Sequence, residues 1–275
     1  MTKQKLKTLT VLFLFSCFSL ALLYPNQAHT QNVSTTMYYT VQYMKVPLEN
    51  DNEYIRLETE VWKILHQARK DAGLLDGWFL FRVLSPSGTH VEYNYVTINA
   101  YSSLEKLAGH FESYGVDYTK LLNNDQISIA LETDRIRDLV KEEVWQMEDR
   151  IYPENMEEMY RYQVVNSMRL KPGITGNEYA QVEQTYWKPI HEARIKGGKM
   201  HGWGMYSLVM PGGTSASYTW GTADFYSNFE DIFYDFNPLF SKIHKGKDID
   251  KIYEKTDNTR DLLTSEVRFL IDYIQ

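Results

Sequence analysis

The chain has 275 residues, a formal net charge of −7 and one cysteine, Cys17. That acidic balance argues against nucleic acid or an anionic membrane surface as the main partner, and a lone cysteine excludes a disulfide framework. Stability must come from the core, for which the 14% aromatic content supplies material.

Lys3, Lys5 and Lys7 precede an uncharged run from Thr8 to Tyr24, and Pro25 and small residues around Ala28 and Thr30 follow. This is the layout of a secretory signal peptide, expected to be removed near residues 28 to 30. The 17-residue run is short for a bilayer core of about 30 Å. Leu14-Phe15-Ser16-Cys17 partly matches a lipoprotein box, although Phe15 fits poorly and the apolar run continues beyond Cys17. Cleavage would leave about 245 residues with no cysteine, and loss of the three lysines takes the charge to −10. The expectation is an exported protein, periplasmic or extracellular, with no nucleic-acid partner and no membrane association once processed.

Residues 31–36 read as a disordered leader. Tyr38 to Val46 alternates in β-favouring residues and ends at Pro47, as a strand does. Asn52 is placed to cap a helix to about Ala72, stopped by Gly73, with Leu57, Val61, Leu65, Ala68 and Ala72 at helical spacing. Gly77 opens a strand over 78–84, Pro86-Ser87-Gly88-Thr89 makes a hairpin turn, and Val91 to Tyr101 returns. A helix from Ser102 to about Tyr114, an irregular polar segment, a helix over 134–141 and a strand over 143–151 complete the first half.

The second half follows the same plan: strand 161–170, helix 177–196, strands 203–210 and 217–226, and helix 228–243. Across Glu53–Tyr101 and Glu178–Tyr226, 17 of 49 aligned positions are identical, where chance gives roughly three. Arg137-Asp138-Leu139 and Glu143-Val144 reappear as Arg260-Asp261-Leu262 and Glu266-Val267. The chain reads as a duplication, residues 37–152 and 153–275, each half β-α-β-β-α-β with a helical insertion before its last strand. This is the split β-α-β order of ferredoxin-like units. Trp78, Phe79, Leu80 and Phe81 are apolar on consecutive positions, so both faces of the sheet want cover. Two such sheets packed face to face would give an α+β single-chain barrel.

With the Gly-Trp pairs 77/78 and 202/203 and the Pro-x-Gly-Thr turns 86–89 and 211–214, residues 37–275 resemble the dimeric α/β-barrel superfamily in single-chain tandem form, most of all secreted bacterial members without an assigned activity. The resemblance implies relatives that include cofactor-free monooxygenases, muconolactone-type isomerases and haem-binding peroxidases, so it does not select a chemistry.

Glu58, Trp62, His66 and Arg69 fall along one helical face, and Glu183, Trp187, His191 and Arg194 repeat them. His66 or His191 could act as a general base, with Arg69 or Arg194 holding a developing anion; equally, the set could seal the helix edge. If Trp78 and Leu80 face the interior, Arg82 does too, where it could recognise a carboxylate; it could instead reach solvent near the strand end. Tyr93, Tyr95, Tyr218 and Trp220, with Trp78 and Trp203, are the candidate lining of an aromatic pocket for a small apolar or carboxylate-bearing ligand, or else plain core. The sequence has no metal-ligand spacing, phosphate loop, nucleophile elbow or dinucleotide fingerprint, so no metal or cofactor is expected, although His66, His191 or His201 could ligate a haem. Enzymatic activity and oligomeric state are left open.

Overall fold

The computed structural model describes residues 36–112, 115–152 and 158–275. The expected signal peptide, and all but the last residue of the leader, lie outside the described residues. In chain order the strands are β1 (Tyr38–Lys45), β2 (Gly77–Ser85), β3 (Tyr95–Tyr101), β4 (Asp138–Ile151), β5 (Tyr162–Leu170), β6 (Gly202–Met210), β7 (Trp220–Tyr226) and β8 (Arg260–Ile274). They form a closed antiparallel barrel in the order β1-β3-β2-β8-β5-β7-β6-β4. The single-chain barrel expected from two sheets is present, and its strands close edge to edge into one ring. β2 pairs with β8, and β4 with β6, each through an antiparallel ladder with two bulges. An open sheet would leave two edges of unpaired backbone groups, and the two seams remove all four at once.

Every neighbour in the ring is antiparallel and β1 stands four places from β5, so β1 and β5 run in the same direction. The halves are therefore related by rotation about the barrel axis, and matched positions face each other across the lumen.

Helices cover the outside. α1 (Asp51–Leu57) and α2 (Lys63–Asp71) form one rod with a π turn at Glu58–Trp62 between them, and α7 (Gly176–Val182) and α8 (Lys188–Lys196) repeat it around Glu183–Trp187. Pro189 at the start of α8 lacks an N–H, but its counterpart Ile64 has one, so proline is not the cause of the π turn. Tyr54, Leu57, Val61 and Leu65 pack on Trp78, Leu80, Tyr95 and Tyr101. Tyr179 and Val182 stand likewise beside Trp203, Met205 and Tyr226.

Four boundaries differ from expectation. β3 starts at Tyr95: the Asn94 backbone still bonds Met44 O and Val83 N, but its side chain accepts from Val46 N and donates to Val46 O, taking the groups a further strand residue would pair with. β7 likewise begins at Trp220. The segment expected as a helix over 134–141 is a single turn, α6 (Thr133–Ile136), after which β4 begins at Asp138; Asp138, Leu139 and Lys141 pair with the end of β1, and Val140 falls at a bulge. The polar segment before it holds α4 (Tyr118–Leu121) and α5 (Asn124–Leu131), the latter with an Asn123/Gln126 capping box. The expected helix 228–243 is broken into a 3-10 turn (Phe229–Phe233) and α9 (Asn237–Ile243), which restarts with Pro238 in its first turn. α3 (Leu104–Glu112) and α10 (Ile249–Thr259) complete the outer layer. Gly88 and Gly213 hold φ of +121° and +99° in the two hairpin turns, a conformation that penalises a Cβ. Among the described residues no helix is long and apolar enough to cross a membrane.

Residues 36–152 expressed alone would expose the inner face and the open edges of β2 and β4. They should form dimers or larger species rather than a folded monomer, as sedimentation velocity will show; a stable monomer would contradict the closure argument.

Candidate functional site: the barrel lumen

Alternation along the strands sorts residues to the two sides of the barrel wall. Val41 and Tyr43 of β1, Phe79 and Phe81 of β2, Val96 and Ile98 of β3, and Ala223 and Phe225 of β7 belong to one inner cluster. The segment between the halves adds to it: Tyr160 lies between Phe81 and Phe225, at centroid distances of 6.4 and 4.5 Å. This cluster leaves a cavity of about 280 Å³ that reaches from Gly77 and Tyr152 at one end to Trp145 and Arg268 in the middle. A second chamber of about 350 Å³ opens at the other end, lined by Tyr93, Lys141, Tyr218 and Glu266. Tyr43, Val165, Ser167 and Arg268 border both. Small residues make the room. A Cβ on Gly221 would stand 3.1 Å from the Asn166 carbonyl and 3.4 Å from the Trp145 ring.

Polar groups in the lumen come in compensated sets. Glu143 is 4% exposed and accepts from the Tyr43 hydroxyl at 2.8 Å, the Tyr218 hydroxyl at 2.5 Å and Trp145 Nε1 at 3.0 Å. Lys141 Nζ lies 3.4 Å from it and donates to Tyr218 Oη. On the opposite wall Arg268 donates through Nε to Glu266, and both are buried. Burial pushes the Tyr43 and Tyr218 hydroxyls above their usual range, and the Glu143 carboxylate adds to this, so both stay protonated donors. The Arg268 guanidinium is disfavoured by burial, yet Glu266 and the surrounding tyrosines hold it firmly charged.

Of the residues expected to line a pocket, Tyr93 and Tyr218 do face the lumen, on the loops just before β3 and β7. Trp78, Arg82, Tyr95, Trp203 and Trp220 do not. They occupy the alternate phase and point outward under the helices. Arg82 is held there by Asp51 at 2.7 Å and lies over the Tyr95 ring, whose hydroxyl donates to the same carboxylate.

The repeated helical sets also lie outside the lumen, between helix and sheet. His66 stacks on Trp78 and His191 on Trp203, at 5.2 and 5.4 Å. Burial, with Arg69 and Arg194 alongside, lowers each imidazole to about 3, so both are neutral. Arg69 reaches Tyr101 Oη at 3.5 Å and Arg194 reaches Tyr226 Oη at 2.7 Å. Glu183 is paired with Arg260 at 3.2 Å. Burial raises Glu58 to about 7 against the opposing pull of Arg137. His201, the third candidate haem ligand, sits near the Tyr160 ring and is not part of the lumen lining. Among the described residues no group of histidines, cysteines and carboxylates could hold a metal.

Sequence reasoning missed Tyr39, Glu143, Trp145, Gln163, Tyr206 and Arg268. One signal pointed at Glu143: Glu143-Val144 and Glu266-Val267 match in sequence, and a carboxylate that is buried needs a partner.

His66→Ala or His191→Ala should lose roughly 1–3 kcal/mol, the cost of an unfilled contact against an indole, read from urea midpoints. Glu58 gives a signed pH effect. The folded chain binds its proton more tightly than the unfolded chain, so this contribution is complete below about 4.5 and is lost as pH rises to about 7. Glu58→Gln should flatten the descent in stability between pH 5 and pH 8 by on the order of 3 kcal/mol.

No protein-family model matches the chain, and no curated protein matches it by sequence. Solved structures do. A candidate monooxygenase of Fusobacterium nucleatum is 10% identical, with 88% of this chain and 94% of that one covered and a TM-score of 0.52. A candidate monooxygenase of Lactobacillus acidophilus (13% identity, 86% and 93% covered, TM-score 0.45) and a haem-binding protein of Thermus thermophilus (11%, 86% and 93%, 0.44) are more distant in shape. At such identity the likeness is one of fold. The chain therefore has the α+β fold of the dimeric α/β-barrel proteins, an eight-stranded antiparallel barrel wrapped in helices and closed within one polypeptide.

Proposed function

We propose that this is an exported binding protein that takes a small, mostly apolar molecule into its barrel lumen. The observation that carries the reading is the cavity of about 280 Å³ among Tyr39, Phe79, Trp145, Tyr206 and Phe225, with a few polar groups at its wall. An apolar chamber with sparse, fixed polar groups is how small-molecule sites are built. Export rests on the lysine-led apolar run at the N-terminus and the small residues that follow it. The reading of residues 37–152 and 153–275 as two ferredoxin-like copies rests on their 17 shared positions and on the matched π turns.

A histidine-based oxygenase or isomerase would need its substrate at His66 or His191, and neither lines the lumen. A haem would need an axial ligand, and among the described residues no histidine lines either chamber.

Native mass spectrometry of the protein from its own host should reveal a retained small molecule. Val165→Phe, which fills the junction of the two chambers, should lose that molecule while melting within a few degrees of the parent. If nothing is retained, and no compound in a fragment screen separates the parent from Val165→Phe, the lumen is core.

A further inference from the structure

The two walls of the main cavity differ in chemistry although their backbones correspond. Tyr39 of β1 is the register partner of Trp145 of β4. At the matching place across the axis, Gln163 of β5 is the register partner of Arg268 of β8. Both pairs line the cavity. One wall is thus a phenol and an indole, the other an amide and a guanidinium.

Gln163 is 5% exposed, and no described residue donates to its Oε1. A buried amide oxygen without a donor costs about 1–3 kcal/mol unless something in the cavity supplies one. The charges near it are already matched. Every partner of Glu143 is a donor, and Lys141 Nζ stands 3.4 Å from it. Glu266 faces Arg268. These two acids and two bases are matched one to one; of the other charged side chains lining the cavity, Asp76 is held by Lys106 and Arg150 is solvent-exposed, so a net-charged ligand at Gln163 would give up its hydration where each charge already has its partner.

We propose that the lumen ligand is a neutral, flat molecule that lies against Tyr39 and Trp145 and gives an O–H or N–H to Gln163, its polar end beside Arg268. This rests on the lumen being a binding chamber, and it narrows the ligand class by removing carboxylates from it.

The test is calorimetric titration of the full mature chain at pH 7 with two matched pairs, 2-naphthol against 2-naphthoate and phenol against benzoate. The neutral member of each pair should bind at least ten-fold tighter. Gln163→Leu should weaken 2-naphthol roughly 5- to 10-fold, the worth of one buried hydrogen bond, with a melting temperature equal to or above the parent's because the unmatched amide is gone. Tighter binding of the carboxylates, or a Gln163→Leu affinity for 2-naphthol equal to the parent's, overturns the neutral-ligand assignment and leaves the binding chamber standing. Failure of all four compounds to bind overturns the assignment, and the chamber then stands or falls on the retained-molecule experiment.

Discussion

A sheet that is apolar on both faces cannot be left half covered, and this constraint shapes the molecule. The outer face of each four-strand set is met by its own helices, where Trp78 and Trp203 are fully buried under the two π-turn rods. The inner face has nothing of its own to meet it. Only the other half can do so, and once the halves approach, the β2–β8 and β4–β6 seams form at the edges. Side-chain burial and backbone pairing are then satisfied by one arrangement, which accounts for a closed barrel rather than two layers lying loosely together.

Placing two carboxylates and two cations inside such a lumen is costly, since desolvation offsets most of what a buried ion pair gains. The chain reduces that cost by surrounding each acid with donors. Glu143 has two phenols and an indole, and Glu266 has the Arg268 guanidinium. The matched glutamates each take an N–H from the residue two positions on, Trp145 in one half and Arg268 in the other. The same i to i+2 arrangement thus occurs at both places with different donors.

Much of the architecture was legible in the sequence, because strand alternation, the helical spacing of Leu57, Val61 and Leu65, and the repeated Gly-Trp and Pro-x-Gly-Thr signals all have local causes. The phase of the strands was not legible. Trp78-Phe79-Leu80-Phe81 is apolar on both sides, so nothing in it says which side is inside; Arg82 does share the even-numbered face of Trp78 and Leu80, and that face is the outer one. Tyr93 and Tyr95 look like one stripe two residues apart, but the Asn94 clasp takes Tyr93 off the strand, and the two hydroxyls end on opposite sides of the wall. Gln163 gave no warning, because an unmatched amide becomes visible only when all its neighbours are placed.

The covalent joining of the halves has a further effect. In a ring made from two identical chains, any molecule on the axis has two equivalent poses, and each wall must serve both. Here Met159 and Tyr160 line the lumen, and Trp145 on one wall and Arg268 on the other hold matched places. In this single chain the two walls are not equivalent: Tyr39 and Trp145 on one stand against Gln163 and Arg268 on the other, so the two end-for-end poses of any molecule placed there would differ in energy.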